Sequence, residues 1–323
     1  MPKTTQHLVQ YRPDVLGENY ECTDIECAND YDGRVIATLI RKLSPQPSTK
    51  AVLYIHGFID YFFQKEMAEK FNEQGFNFYA LDLRKYGRSH LAHQQFYHVK
   101  NLSEYHEEIS KALDIIASEQ NESVLLAGHS TGGLITTLYA AQHPNHHLIK
   151  ALWVNSPFYD FNKSNLEKNI GIPALAKMGK VFPNMKFPSA LNLWYVPSLH
   201  LSMHGEWNFN LEWKKERYPF VRLGFVHAIY EAQKKIHDGI YLSIPTLVMY
   251  SHQTKNPKQW NIDAQTSDVI LNVKDIEKWA SRFKGQVQLC EIENGLHDLV
   301  LSAPAVREQV YMQLFQWLNT KIA

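Results

Sequence analysis

The sequence predicts an α/β fold, with a mostly parallel, doubly wound sheet and an inserted helical cap. Short apolar runs that suit buried strands alternate with segments whose apolar residues recur at helical spacing. That alternation stops between residues 160 and 238, where prolines interrupt short apolar helical pieces, and then resumes. We therefore assign residues 1–159 and 239–323 to a core and residues 160–238 to the cap.

Eight strands are predicted, each from a short apolar or alternating run. The first two flank a turn at 29–33 and should pair antiparallel at one edge of the sheet. Most of the others are apolar enough to be buried on both faces, as in a parallel sheet. In chain order the predicted strands are 20–28, 34–43, 50–55, 77–83, 124–127, 150–155, 244–251 and 286–292.

Four core helices are indicated by apolar residues three or four positions apart. Gly75 ends the first helix, while Ser302 and Pro304 open the last. The polar loop 84–89 lacks a phosphate-binding pattern and is interpreted as structural. The residues that indicate the four helices are Phe63, Met67 and Phe71; Tyr105, Ile109, Leu113 and Ile116; Leu134, Leu138, Ala140 and Ala141; and Val306, Val310, Leu314, Trp317 and Leu318.

Composition narrows the classes of partner. The 323 residues include 33 Lys and Arg against 33 Asp and Glu, a formal neutrality that favours a small neutral substrate over nucleic acid. No apolar run reaches transmembrane length, and residues 1–6 lack the apolar core of a secretion signal, so we expect a cytoplasmic protein. Cys22 and Cys27 should face opposite sides of one strand without forming a disulfide, and Cys290 should lie in the core.

The segment Gly128-His129-Ser130-Thr131-Gly132 stands between a predicted strand and a predicted helix. A serine at the tip of a sharp strand-to-helix turn needs small neighbours two positions away on either side, and two glycines supply them. The turn exposes the Ser130 hydroxyl and leaves the Thr131 amide at a helix N-terminus, where negative charge is stabilised. The pattern indicates a nucleophile. The alternative is a glycine-rich turn with a solvated serine.

The nucleophile interpretation requires partners elsewhere in the chain. His297 lies on a short loop beyond the last strand, where an imidazole can take the Ser130 proton and return it to a leaving group. Asp268, on the loop after the preceding strand, is the expected acid that orients this histidine. Asp263 is the second choice for the acid and Asp160 a more distant one. The Phe58 amide, which follows a strand and Gly57, should join the Thr131 amide as an oxyanion hole.

The cap is expected to cover the serine, because it follows a strand end at the edge where α/β sheets bind ligands. Its apolar residues either form an acyl tunnel and touch lipid surfaces transiently, or merely pack the cap on the core. His200, His204 and Glu206 resemble metal ligands only by proximity, and neither a metal nor a cofactor is expected. The residues expected to contact substrate are His56, His129, Trp194, His204 and Trp207.

These residues resemble those of the serine α/β-hydrolases over nearly the whole chain. The residues that carry the resemblance are 56–58, 87–89, 128–132, Asp268 and His297. Within that superfamily the chain is most similar to the capped branch of monoacylglycerol lipases, lysophospholipases and serine aminopeptidases. The resemblance implies hydrolysis of esters, or less often amides, without a cofactor.

The interpretation that we carry forward is a serine esterase acting on a small ester or lipid, such as a monoglyceride or a lysophospholipid. Three alternatives stay open. An aminopeptidase would need a carboxylate under the cap, for which Glu206, Glu212 and Glu231 are available. An acyltransferase would replace water with an alcohol in the second step. A non-catalytic binding protein could also keep the fold.

Overall fold

A computed structural model describes residues 9–189 and 191–321, so the predicted lack of a signal in residues 1–6 falls outside it. The strands are β1 (Arg12–Pro13), β2 (Glu21–Asp30), β3 (Gly33–Lys42), β4 (Lys50–Ile55), β5 (Asn77–Asp82), β6 (Ser123–His129), β7 (Ile149–Asn155), β8 (Lys186–Pro188), β9 (Phe220–Arg222), β10 (Tyr241–Ser251) and β11 (Lys284–Ile292). The α-helices are α1 (Lys65–Glu73), α2 (Tyr105–Ser118), α3 (Thr131–Gln142), α4 (Ile172–Val181), α5 (Tyr195–Leu199), α6 (Leu223–His237), α7 (Asp263–Thr266), α8 (Val273–Ala280) and α9 (Pro304–Lys321).

Within the described residues, nine strands form one sheet in the order β1-β2-β3-β5-β4-β6-β7-β10-β11. Pairing is antiparallel from β1 to β5 and parallel from β5 to β11, which confirms the predicted mostly parallel sheet. The chain places β5 on one side of β4 and β6 on the other. The loops after β4 and β6 therefore meet at the carboxyl edge, where such sheets bind ligands.

Helices cover both faces of this sheet, because successive apolar side chains of each strand point to opposite faces. In β4, Leu53 and Ile55 pack on one face with α2, α3, α6 and α8. Val52 and Tyr54 pack on the other face with α1 and α9. This is the three-layer arrangement of a doubly wound fold.

Residues 160–238, which we call the cap, contribute no strand to the large sheet within the described range. They contain α4, α5 and α6. None of the eight strands predicted from the sequence lies in the cap, but β8 and β9 pair antiparallel there, from Lys186 with Arg222 to Pro188 with Phe220. Strands of three residues are too short for an alternating pattern to be visible in the sequence.

Element boundaries differ from the predictions by a few residues. Helix α1 begins at Lys65, so Phe63 lies in the loop before it, packed against Phe209. Strand β10 begins at Tyr241 and is irregular in its pairing with β11 between Leu242 and Thr246. Pro245 lies in that break, because a proline has no N–H to donate to a strand ladder.

The basic residues of loop 84–89 are buried and paired, which agrees with a structural role. Each side chain reaches carboxylates of neighbouring segments: Arg84 pairs with Glu108 at 2.6 Å, Lys85 with Asp30 and Asp32 at 2.7 Å, and Arg88 with Asp14 at 2.6 Å and Asp82 at 2.8 Å. The loop thus ties the N-terminal strands to the parallel part of the sheet.

The cysteines are free, as predicted, with Cys22 and Cys27 buried on opposite faces of the sheet. Cys290 is only half-buried at the margin of the core. Among the residues described, none of the helices is both long enough and apolar enough to cross a bilayer.

Candidate active site

Ser130 sits between β6 and α3 in a strained turn, with φ 52° and ψ −115°. The flanking glycines are required because backbones approach closely there. A Cβ on Gly128 would meet the carbonyl oxygen of Gly132 at 2.5 Å. A Cβ on Gly132 would meet the carbonyl oxygen of Ile55 at 2.3 Å. The sequence pattern therefore reflects a steric demand of this turn.

Ser130, His297 and Asp268 are joined by hydrogen bonds. Nε2 of His297 lies 3.0 Å from Oγ of Ser130, and Nδ1 lies 2.8 Å from Oδ2 of Asp268. A carboxylate only accepts, so we place the ring proton on Nδ1, which leaves Nε2 to accept the serine proton. The other oxygen of Asp268 accepts from the amides of Ile270 and Leu271, at 2.8 and 2.7 Å. The acid is thereby fixed in orientation.

The other candidate acids lie elsewhere. Asp263 begins the short helix α7, and its backbone oxygen accepts from the Ser267 hydroxyl. Asp160 pairs with Lys168 at 3.1 Å and accepts from Nε1 of Trp279 at 3.2 Å. Neither carboxylate contacts His297, so the structure brings only Asp268 of these three acids to the imidazole.

The imidazole of His297 is almost completely buried. Burial lowers the pKa of His297 below its ordinary value, because the charged form loses hydration, while the neighbouring Asp268 carboxylate opposes that shift. The ring is therefore neutral at neutral pH, the form that can accept a proton from Ser130.

The amides of Phe58 and Thr131 are free to bind an anion. Neither donates a hydrogen bond to another residue in the described part of the chain. The loop that carries Phe58 is close to the serine, since a Cβ on Gly57 would come within 3.2 Å of the Ser130 Cβ. Both residues line the same cavity as Ser130.

That cavity, of about 470 Å³, lies between the core and the cap. Apolar side chains from both parts form much of its wall, including Ile172, Leu175, Phe158, Phe225 and Ile229. The Phe225 ring stacks on Phe58 with centroids 4.5 Å apart, which closes this wall over the loop after β4. The arrangement can hold an extended apolar group beside the serine.

Of the five residues expected to contact substrate, only His129 lines this cavity. The ring of His56 does not line the cavity, because it is fully buried and hydrogen-bonded within the protein. Its Nδ1 donates to the carbonyl of Gly57 at 2.8 Å, and its Nε2 accepts from the amide of Leu83 at 3.0 Å. His56 holds the loop after β4 in place.

Trp194, His204 and Trp207 do not line the cavity either, so substrate contact by these three stays a prediction. Trp194 packs against the core at the start of α5. His204 is exposed and stacks on Trp260 with centroids 3.9 Å apart. Trp207 donates from Nε1 to the carbonyl of Leu301 at 2.9 Å, which pins the cap to the core.

The possible metal ligands of the cap do not converge. Both ring nitrogens of His200 have protein partners, the Ser202 hydroxyl at 2.8 Å and the Phe209 carbonyl at 3.1 Å. Glu206 pairs with Arg307 instead. These side chains stabilise the fold of the cap.

Sequence reasoning missed a buried charged group beside Ser130, formed by Asp60, Asp298 and Lys214. One nitrogen of His129 and one oxygen of each aspartate lie within 4.8 Å of one another, a spacing that could suit a metal ion. However, Nζ of Lys214 already stands 2.9 Å from Asp60, and Asp298 accepts from Gln64 and Asn155. Asp60 and Asp298 each lie within three residues of a predicted site residue, a signal that could have found them; Lys214 offered none.

Known proteins share sequence and fold with this chain. A family model described as serine aminopeptidase, S33, matches residues 46–255. A probable lysophospholipase L2 of Haemophilus influenzae is 25% identical over 269 residues, which are 79% of each chain.

Solved structures resemble the fold over most of its length. A soluble variant of monoglyceride lipase from Saccharomyces cerevisiae superposes with a TM-score of 0.65 at 15% identity, covering 92% of this chain and 96% of that one. The monoacylglycerol lipase of Paleococcus ferrophilus gives 0.63 at 18% identity, covering 88% and 99%. The fold is that of the α/β-hydrolases.

Proposed function

The chain belongs to the serine aminopeptidase S33 family, and from that premise we propose that it is a serine hydrolase cleaving carboxylic esters of acylglycerol or lysophospholipid type. The observation that carries the proposal is the connected chain from Ser130 through His297 to Asp268, with distances of 3.0 and 2.8 Å, at the floor of an apolar cavity. The matched lysophospholipase and the two lipases support an ester as the substrate.

The proposed reaction proceeds through an acyl-enzyme. Nε2 of His297 takes the Ser130 proton as Oγ attacks the ester carbonyl carbon. The amides of Phe58 and Thr131 stabilise the resulting oxyanion, each such donor contributing roughly 3 kcal/mol. The carbon–oxygen bond to the alcohol then breaks, and the imidazolium returns its proton to the departing alkoxide. Water attacks the acyl-enzyme by the same route and releases the carboxylic acid.

Hydrolysis of N-terminal peptide bonds is less well supported by the site. Glu206, Glu212 and Glu231, the carboxylates considered for holding an amine, do not line the cavity. Asp60 lines it but is neutralised by Lys214. Glu216 lies at the exposed rim, where it faces Arg217 at 3.5 Å. An amine would therefore lack a dedicated buried partner.

We further propose that the cap contacts lipid surfaces around the cavity entrance. Large apolar side chains of the cap are exposed, among them Ile170 at 63%, Val181 at 65%, Phe182 at 57% and Leu193 at 58%. Leu193 also lines the cavity, so this surface continues into the site. Exposed Lys177, Lys180 and Lys186 on the same segment would favour an anionic surface.

The test is a panel of glyceryl esters and lysophospholipids with acyl chains graded from butanoyl to oleoyl, assayed beside aminoacyl anilides. Purified protein should hydrolyse the esters, and Ser130→Ala should not. Selective cleavage of the anilides would favour the peptidase, and ester formation with added alcohols would favour an acyltransferase. The surface contact has its own test, binding to anionic vesicles. Weaker binding by the double variant Val181→Ser with Phe182→Ser would support the contact, while unchanged binding would contradict it.

A further inference from the structure

A second cavity, of about 400 Å³, lies between the cap and helices α2 and α3 of the core. Helices α4 and α6 wall both this cavity and the one that contains Ser130, but with different faces. Leu175 and Ile229 line the cavity of the serine, whereas Lys180 and His227 line the second one. Among the described residues, none lines both cavities, so the second cavity is separate from the proposed reaction.

The second cavity has a buried apolar part and an exposed basic part. Its buried lining residues are apolar: Leu102, Ile135, Leu138, Ala176 and Ala232. Its exposed lining residues include three lysines, Lys177 and Lys180 of α4 and Lys235 of α6. The volume lies in the range of about 300–1,000 Å³ that small-molecule sites occupy. A ligand here would meet an apolar surface on one part and positive charge on another.

The lysines of this cavity lack counter-charges. Within residues 9–189 and 191–321, none of the three ammonium groups pairs with a carboxylate, and the one lining carboxylate, Glu231, faces Lys234 at 3.5 Å. Like charges that border one cavity repel one another, and the field that they share attracts an anion. The second cavity is therefore an electropositive site.

Two histidines in the wall of the second cavity add hydrogen-bonding capacity. Nδ1 of His227 is buried without a partner in the described part of the chain, which is costly unless a ligand or water satisfies it. Burial lowers the pKa of His106 to about 4, and the nearby His143 and Lys235 add to that shift, so positive charge reaches the cavity wall. Each imidazole carries at least one N–H, which an anion can accept.

The two helices that carry the lysines are packed closely against each other. A Cβ on Gly179 of α4 would lie 2.0 Å from the carbonyl oxygen of Leu223, at the start of α6. A Cβ on Gly224 would lie 2.8 Å from Cβ of Pro183, just beyond α4. These close approaches fix the backbones from which the three lysines extend, so their charges need little rearrangement to meet a ligand.

We propose that the second cavity binds a phosphate monoester, with the phosphate at Lys177, Lys180 and Lys235 and the apolar part of the ligand on Ile135 and Leu138. A phosphate monoester carries about −1.5 to −2 charges near pH 7 and three acceptor oxygens, so it can engage several ammonium groups at once. This site goes beyond the proposed ester hydrolysis and does not depend on it. The same phosphate chemistry occurs in soluble metabolites and in lipid head groups, two sources that the experiment distinguishes.

A carboxylate or an uncharged alcohol suits the second cavity less well. A carboxylate brings one negative charge to three ammonium groups and offers two acceptor oxygens instead of three. An alcohol brings no charge, so the repulsion among the lysines would persist. The cavity should therefore rank ligands that share one apolar body by the charge of their polar group.

The experiment measures the binding of phenyl phosphate, benzoate and benzyl alcohol to the wild-type protein by calorimetry. The decisive variant is Lys177→Met with Lys235→Met, which removes one charge from each of the two cap helices. Lys186→Met is the matched control, because Lys186 is an exposed cap lysine that does not line the cavity. All three replaced lysines are exposed, so the variants should fold, and thermal unfolding checks this.

We expect phenyl phosphate to bind at least about tenfold more tightly than benzoate and benzyl alcohol, because hydrogen bonds between charged groups are the strong ones. The double variant should bind phenyl phosphate at least about tenfold more weakly than the wild type, and Lys186→Met should bind it equally well. Equal affinities for the three probes, or a folded double variant with wild-type affinity, would overturn the proposal.

A second comparison identifies the source of the phosphate and separates this proposal from the proposed function. In the Ser130→Ala variant, where no ester should be turned over, phenyl phosphate is compared with 1-lauroyl lysophosphatidate. Where binding depends on Lys177 and Lys235, tighter binding of the lysophosphatidate assigns the phosphate to a lipid, and the reverse order assigns it to a soluble metabolite. Either order supports the site even if the wild type hydrolyses no ester. Binding that is unchanged without the two lysines contradicts the site even if every ester is hydrolysed.

Discussion

Nε2 of His297 lies 3.0 Å from the hydroxyl of Ser130, although the two residues are 167 positions apart in the chain. The contact follows from strand order, because Ser130 follows β6, His297 follows β11, and both loops emerge at the carboxyl edge of one parallel sheet. The site is thus a consequence of the topology, and each effect on catalysis predicted below depends on that convergence.

Replacement of His297 by Ala should remove the proton acceptor of the proposed reaction. We expect kcat for a p-nitrophenyl ester to fall by at least about 10⁴-fold. His252, half-buried on the loop after β10, accepts a hydrogen bond from the Asn294 amide and provides the matched control as His252→Ala. Near-normal turnover in a folded His297→Ala variant would contradict the assignment.

The acid can be tested by comparing two aspartates of the same loop. Asp268→Asn should lower kcat by about 10⁴-fold, because the amide favours the wrong imidazole tautomer. Asp263→Asn should stay close to wild type, since that carboxylate does not contact His297. A larger loss in Asp263→Asn than in Asp268→Asn would show that the acid is misassigned.

The pH profile should reflect the buried imidazole. Activity requires neutral His297, and burial lowers the pKa of His297 from 6.5, so the acidic limb of kcat/KM should have its midpoint below pH 6.5. Asp268 raises this pKa, so Asp268→Asn should move the midpoint further down while kcat falls. A wild-type midpoint above 6.5 would be inconsistent with a desolvated ring.

Loss of an ion pair in loop 84–89 should lower the free energy of unfolding. Arg88→Met would leave Asp14 and Asp82 buried without their shared partner, so the free energy of unfolding should fall by about 3–5 kcal/mol, measured in urea. Arg34, exposed and paired with Glu26, provides the control as Arg34→Met, whose free energy of unfolding should stay close to that of wild type. Equal stability of the two variants would contradict the structural role.

Acid should weaken the ion pair between Arg88 and Asp14. Burial would raise the pKa of Asp14, but Arg88 outweighs it and lowers the pKa below 3.8. A depressed carboxyl pKa contributes stability above the unfolded-state value that is lost as pH falls through the folded-state value. Wild type should therefore lose this contribution below about pH 3.8, and Arg88→Met should show less of that loss.

The hydrogen-bonded arrangement of Ser130, His297 and Asp268 was predictable because the sequence signals are local. Two glycines flank Ser130 where the strand before it turns into a helix, and His297 follows the last strand. Each of these signals lies within a few consecutive residues. Contacts made by the cap were not predictable in this way. Trp207 and His204 lie outside the cavity, and Lys214 lies inside it, because the cap is oriented by contacts far apart in sequence, such as Trp207 with Leu301.

The central claim is that Ser130 becomes acylated. Purified protein should be mixed with p-nitrophenyl laurate, quenched in acid within the first turnovers and mapped by peptide mass spectrometry. The account predicts a single lauroyl adduct on Ser130 that is absent from the Ser130→Ala and His297→Ala variants. Ester hydrolysis with no adduct, or an adduct on another residue, would contradict it.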